Sequence, residues 1–260
     1  MTISGVNFGK AAADYAAFRV GFPDSIFERL APLGIGLPDQ DVVDLGTGTG
    51  TLARGFARRG CRVVGLDPDT RMLAAARALD REHGPEIAYV LAKAEATGLA
   101  SASADVVTAG QCWHWFDRPR AIDEVVRVLR TRSKLVIAHF DWLPLPHNVV
   151  EATERLIEHH NADWAFGAGN GKYPQWLPDL YERGFRSVVD FFYDVDVPYT
   201  PAAWRGRIRA SAGIAALTVE RIGEFDAALG RMLIERFPQE TLTVPHRVFA
   251  IVAEAPSNAP

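Results

Sequence analysis

Two stretches carry residue types whose spacing could do chemistry. The first is Asp44-Leu45-Gly46-Thr47-Gly48-Thr49-Gly50, followed by an Ala/Arg-rich segment and then by Leu66-Asp67-Pro68. Glycines let a backbone come close to a ligand and accept the positive φ of a tight turn. A helix opening directly after them aims unpaired N–H groups at the same place. Asp67 closes the next strand, where a carboxylate can take two ribose hydroxyls. Together these residues describe a site for a nucleoside-bearing cofactor. Gly48-x-Gly50-x-x-Ala53 with Asp67 also satisfies a permissive dinucleotide fingerprint. The second stretch is Gln111-Cys112-Trp113-His114-Trp115-Phe116-Asp117. Its aromatic faces could hold a cation or frame an aromatic substrate. His114 is either a structural hydrogen-bonder or a proton acceptor, and His139 and His147 are further candidates for the second role.

These residues need elements to position them. From Val42 the pattern alternates strand and helix, which predicts an α/β fold, a parallel sheet with helices on both faces. Strands are expected at 41–45, 62–66, 86–91, 104–109, 133–139, 186–196 and 243–253. Helices are expected at 50–59, 69–82, 118–130, 148–160, 174–183, 202–213 and 218–236. Such sheets bind ligands beyond the carboxyl ends of their strands, near the switch in strand order. That rule assigns Gln111 and Trp113 to the site and leaves Trp115 and Phe116 to the core. Asp117 is expected to cap the helix after it, with Pro119 in the first turn. Residues 8–30 read as one or two helices broken at Pro23, and Asp24-Ser25 can cap the segment from Ile26.

Residues 141–176 interrupt the alternation with Trp142, His147, Trp164, Phe166, Tyr173 and Trp176, and with a Gly167–Gly171 hinge. This reads either as a lid over an apolar or aromatic substrate or as an insert with its own small aromatic core. Its helix sets Glu151, Glu154 and Glu158 as the polar side. His159 and His160 are adjacent and read as a solvated helix end, not as metal ligands. Trp204, Arg205, Arg207 and Arg209 read as a solvated face, or as an anchor for an anionic substrate.

Composition narrows the classes. With 260 residues and 48% hydrophobic content, the chain can build one substantial core, or a core and a cap. A net charge of −4 without a basic stripe argues against nucleic acid as partner. Cys61 and Cys112 read as small buried thiols, which fits a reducing, cytoplasmic setting. No run of eighteen apolar residues predicts a membrane span, and the first residues lack the pattern of a secretory signal.

The combination of Phe8-Gly9-Lys10 through Tyr15 and Arg19, Asp44–Gly50, Leu66-Asp67-Pro68, Ala94-Glu95 and Gln111-x-x-His114-Trp115-Phe116-Asp117 resembles the class I S-adenosylmethionine-dependent methyltransferases. The likeness is to the small-molecule branch with the type 11 domain, similar to trans-aconitate methyltransferase-like proteins, and it covers roughly residues 8–140. It implies a Rossmann-like doubly wound seven-stranded sheet with an antiparallel last strand, plus a helical cap insert. It implies a cofactor, S-adenosylmethionine, that leaves as S-adenosylhomocysteine. The glycine loop of Gly46, Thr47, Gly48 and Gly50 would lie against the methionine half, where the Asp44 carboxylate suits an ammonium and a sulfonium and would repel a pyrophosphate. Asp67 would meet the ribose, with Pro68 beside it; Met72 either is ordinary core or flanks the adenine, whose edge Ala94 and Glu95 would line. Tyr15 and Arg19 would either take the ligand carboxylate or simply pack their helix on the main domain. No metal is expected.

The domains implied are a helical lid over 1–38, a cofactor-binding core over 39–140, a cap over 141–176 and a completion of the sheet over 177–260. The acceptor is expected to be a small molecule, aromatic or apolar, and the protein a monomer or homodimer. Two other functions fit parts of the sequence. An NAD(P)-dependent oxidoreductase would use Tyr89-x-x-x-Lys93 as its catalytic pair, but these residues fall on a predicted strand. A catalytically inactive S-adenosylmethionine-binding partner subunit is opposed by the intact loop and acid.

Overall fold

The computed structural model describes residues 18, 20–85 and 87–257. Among the described residues, seven strands form one sheet: β1 Asp41–Leu45, β2 Arg62–Asp67, β3 Ala88–Leu91, β4 Ala104–Gly110, β5 Leu129–Trp142, β6 Arg186–Tyr199 and β7 Leu242–Glu254. Their order is β3-β2-β1-β4-β5-β7-β6. The first five pair in parallel. Strand β7 runs against β5: the Leu143 N–H donates to Pro245 beyond one end, and the Ala255 N–H donates to Ser133 at the other. Strand order switches at β1, which has β2 on one side and β4 on the other. Apolar β-branched runs such as Val42-Val43 and Val106-Val107 are buried, as a sheet covered on both faces requires.

The helices are α1 Asp24–Leu30, α2 Thr51–Ala57, α3 Thr70–His83, α4 Arg118–Val128, α5 Val149–His160, α6 Leu177–Glu182, α7 Pro201–Arg209, α8 Ala212–Ala215 and α9 Val219–Arg236. Asp117 caps α4 by accepting from the Arg120 N–H. Asp24 does not cap α1 as expected: the helix already includes it, and Pro23 stands at the cap position without a side-chain bond. The helix expected at 202–213 breaks into α7 and α8 where Ser211 leaves helical geometry.

Contacts divide the chain into two compact units. One holds Gly21–His139, Tyr173–Phe192 and the chain from Val248. In it the Phe27 ring fills the place a side chain at Gly55 would take, so α1 seats on α2. The other unit holds Phe140–Lys172, Tyr193–Arg247 and the described end of the leader. Its centre is Trp204, fully buried, whose Nε1 donates to Thr153 at 3.0 Å. Trp142 and Tyr199 pack edge-on against Trp204.

Glu154 departs from the polar face expected of it. It is buried, accepting from Trp142 Nε1 and from the Ala168 N–H, each at 2.8 Å. Burial raises its pKa. The Gly167–Gly171 segment is thereby tied at Ala168, and again at Asn170, whose carbonyl accepts from Arg247. The arginine stretch also differs from a solvated face. Arg205 and Arg209 both bridge to Asp226, and Arg207 is buried with its guanidinium over the Trp142 ring.

Candidate functional site

The glycine loop leaves β1 at the switch point and turns back on itself. Gly46, Gly48 and Gly50 all hold positive φ, at 59°, 57° and 80°, which side chains resist. The Thr47 N–H donates to Leu66 and the Gly50 N–H to Thr47, closing the turn. At Gly46 a Cβ would stand 2.9 Å from both Cβ and Sγ of Cys112. The loop therefore lies directly on the segment leaving β4, which explains that glycine by close packing as well as by φ. Gly46→Ala is expected to lower stability by about 2–4 kcal/mol, from overpacking and left-handed strain together. Urea unfolding would measure it; a change under about 0.5 kcal/mol, the scale of a neutral surface substitution, would refute it.

Two acids flank the loop. Asp44 is fully buried near the tip of β1. Thr108 Oγ1 donates to its Oδ1 and Thr47 Oγ1 to its Oδ2, both at 2.7 Å. Burial is the largest influence and pushes its pKa up to about 6, against those two hydroxyl bonds. Asp67 ends β2, where its Oδ2 accepts from the Gly48 N–H at 2.9 Å and its Oδ1 from the Asp69 N–H at 2.8 Å. It is buried, and burial raises its pKa too. So the second acid holds the loop in shape while keeping lone pairs for a ligand. Asp69 in turn caps α3.

Around this cradle, Met72 is buried with its methyl 3.4 Å from where a Gly48 side chain would begin. Pro68 is exposed on the turn after Asp67. Leu91 is the register partner of Asp67, so Ala94 and Glu95 leave the same edge of the sheet. Ala94 is buried, and Glu95 Oε1 accepts from the Asp117 N–H.

At the tip of β4, Gln111 takes φ 60° and its N–H donates to Ala138. That non-glycine outlier turns the chain sharply into Trp113–Trp115, a single 3-10 turn. Trp113 is fully buried in the core cluster, and its Nε1 has no hydrogen-bond partner among the described residues. Trp115 and Phe116 pack partly buried against the same cluster. Ala138 is the register partner of Gly110, so His139 stands at the same carboxyl edge. His114 is exposed and its ring centre lies 5.4 Å from that of buried His139. Tyr173 stacks on Trp176 at 4.4 Å, and both rings touch His139.

The structure thus brings together Asp44, Gly46, Thr47, Gly48, Gly50, Asp67 and Met72, with Ala94, Glu95, Gln111, Trp113, His114 and His139 on neighbouring segments of the same unit. His147 belongs to the other unit, exposed at φ 67° on the turn before α5, its N–H bonded to Glu151. Tyr15 and Arg19 lie outside the described residues. The sequence does not point to Thr108, and it marks Cys112 only as a small buried thiol. The signal for the first was a hydroxyl on an otherwise apolar central strand.

Residues 43–137 match the methyltransferase domain family. An uncharacterized methyltransferase of Mycobacterium tuberculosis is 38% identical over 130 residues, half of each chain. The malonyl-[acyl-carrier protein] O-methyltransferase of Serratia marcescens is 33% identical over 124 residues, 47% of each. The chain therefore spans about half the length of these relatives. Among solved structures, an Anaeromyxobacter dehalogenans protein assigned to the type II methyltransferases superposes with a TM-score of 0.63 at 24% identity, over 92% of this chain and 99% of that one. Haemonchus contortus phosphoethanolamine N-methyltransferase 2, in complex with S-adenosylhomocysteine, gives 0.57 at 17% identity, over 95% of this chain and 57% of that one. These likenesses carry the fold: the sheet is that of the class I methyltransferase fold. Among the described residues, no helix is long and apolar enough to cross a membrane.

Proposed function

We propose that the protein moves a methyl group from S-adenosylmethionine to a small-molecule acceptor by in-line displacement. The observation that carries this is the pairing of two buried acids across a positive-φ glycine loop at the switch point of the sheet. The negative charge at Asp44 favours a cationic ligand group beside the loop and disfavours a pyrophosphate. Asp67, already ordered by two N–H donors, takes the ribose hydroxyls. Met72, Ala94 and Glu95 frame the adenine, Pro68 follows Asp67 at the ribose, and Gln111 and Trp113 shape the wall at the β4 tip.

The cofactor supplies a methyl group already activated on a sulfonium. The protein's task is then to align and to exclude water. Where the acceptor must lose a proton, His114 takes it, with His139 behind it. Tyr173 and Trp176 favour an aromatic or apolar acceptor. The division into a leader lid over 1–38, a binding core over 39–140, a cap over 141–176 and a completion over 177–260 belongs to the same reading. So do a cytoplasmic setting and a monomer or homodimer.

Isothermal titration with S-adenosylhomocysteine, and separately with NADH and NADPH, tests the reading. Micromolar binding of the first alone is expected. Binding of a nicotinamide cofactor instead would overturn it.

A further inference from the structure

The sequence draws attention to Tyr89, which stands four residues before Lys93 as if in a hydride-transfer pair. The structure gives it other work. Tyr89 lies buried on β3, and its ring crosses β2 where Gly65 has no side chain: a Cβ there would stand 2.9 Å from the ring. Its hydroxyl ends beneath the glycine loop, in the space a Gly50 side chain would need. Beside it, Arg54 on α2 reaches two ways. Its NH1 donates to Asp80 of α3 at 2.8 Å, and its NH2 donates to the Thr49 carbonyl at 2.6 Å. The side chains of Arg54 and Asp80 are 11% and 9% exposed, so the pair is nearly dry. Gly84, just past α3, leaves them room: a Cβ there would meet Arg54 Cδ and Asp80 Oδ1 at 3.3 Å each.

Stability does not account for this cluster. A buried ion pair gains little once desolvation is counted. The Tyr89 hydroxyl and Asp80 Oδ2 are buried, and among the described residues neither finds a hydrogen-bond partner outside their own cluster. Burial first, and then the Asp80 carboxylate, hold the phenol above its usual pKa, so it stays protonated. Apolar side chains would fill the same space more cheaply. What the cluster supplies is geometry at one peptide, Thr49–Gly50, where the loop turns left-handed into α2.

We propose that Arg54, Asp80 and Tyr89 are positioning residues, a brace that fixes the Thr49–Gly50 peptide and thereby sets the affinity of the glycine loop for the adenosyl ligand. The proposal rests on the function argued above, so the test reads the loop and the ligand separately. Tyr89→Phe, Arg54→Met and the double variant would be compared with wild type in two measurements. The first is hydrogen exchange of the loop in ligand-free protein. The second is titration with S-adenosylhomocysteine well below the melting temperature.

Exchange over 45–52 is expected to quicken about tenfold in Arg54→Met and less in Tyr89→Phe, with 104–110 unchanged. Affinity is expected to fall about tenfold in Arg54→Met. The double variant is expected to bind no more weakly than Arg54→Met, because one brace is lost only once. A merely structural role would lower the melting temperature and leave both readings of the folded protein alone. Wild type that binds with variants unchanged in loop exchange and affinity would sink the brace alone. Fully additive affinity losses would also sink it. Wild type that binds no S-adenosylhomocysteine would sink the functional reading, and the brace's role in it.

Discussion

Asp67→Ala is expected to weaken S-adenosylhomocysteine binding more than a hundredfold. The carboxylate sits buried at the end of β2 and already orders two backbone N–H groups, those of Gly48 and Asp69. Alanine leaves both donors without their acceptor and removes the ribose bonds proposed for the carboxylate in the same stroke. Hydrogen bonds to a charged group are worth about 1.5–3 kcal/mol each, so two ribose bonds alone exceed the roughly 2.7 kcal/mol of a hundredfold change. Asp67→Asn should fall between. Its amide keeps one acceptor but turns a donor toward one of the two N–H groups. Titration of the three proteins under one set of conditions measures the series. Asp67→Ala within threefold of wild type would remove Asp67 from the ligand site.

Much of this was legible because the relevant rules are local. A turn that needs positive φ at alternate residues is most cheaply written with glycine, so Gly46, Gly48 and Gly50 announced the loop and Asp44 and Asp67 its ends. Strands buried on both faces announced themselves as apolar β-branched runs. The antiparallel β7 came only through family resemblance. What stayed hidden depends on distant pairs. Glu154 has the spacing of a solvated helix position, and only Trp142 and Ala168 make it a buried one. Arg207 reads as surface until Trp142 is laid across it. Tyr89 showed a false local motif, because its true partners, Asp80 and Arg54, come from two other elements. The early end of α7 likewise owes nothing obvious to propensity, since Ala210 and Ser211 could have continued it.

The pH dependence of Asp44 separates what the fold wants from what the ligand wants. In the ligand-free protein its pKa is raised from 3.8 to about 6, chiefly by burial. The folded state therefore binds the proton more tightly than the unfolded state does. Its stabilising contribution is complete below the unfolded value and is lost as pH rises from about 4 through about 6. Two pKa units correspond to about 3 kcal/mol. At neutral pH the ionised Asp44 is thus a burden on the empty protein, tolerated because Thr47 and Thr108 donate to it. A ligand with an ammonium and a sulfonium favours the ionised form, so binding must expel the proton wherever one is held. S-adenosylmethionine affinity should therefore be flat above pH 6 and fall by up to about tenfold per unit below it. Asp44→Asn removes the titration and the charge together. It is expected to raise stability at pH 7 by about 1–3 kcal/mol, to weaken S-adenosylmethionine binding at least tenfold, and to flatten the acid limb. Chemical unfolding and titration across pH 5–8 read all three. An Asn variant that kept wild-type affinity and its acid limb would show that the proton lies elsewhere, and that Asp44 serves only to tie Thr47 to Thr108.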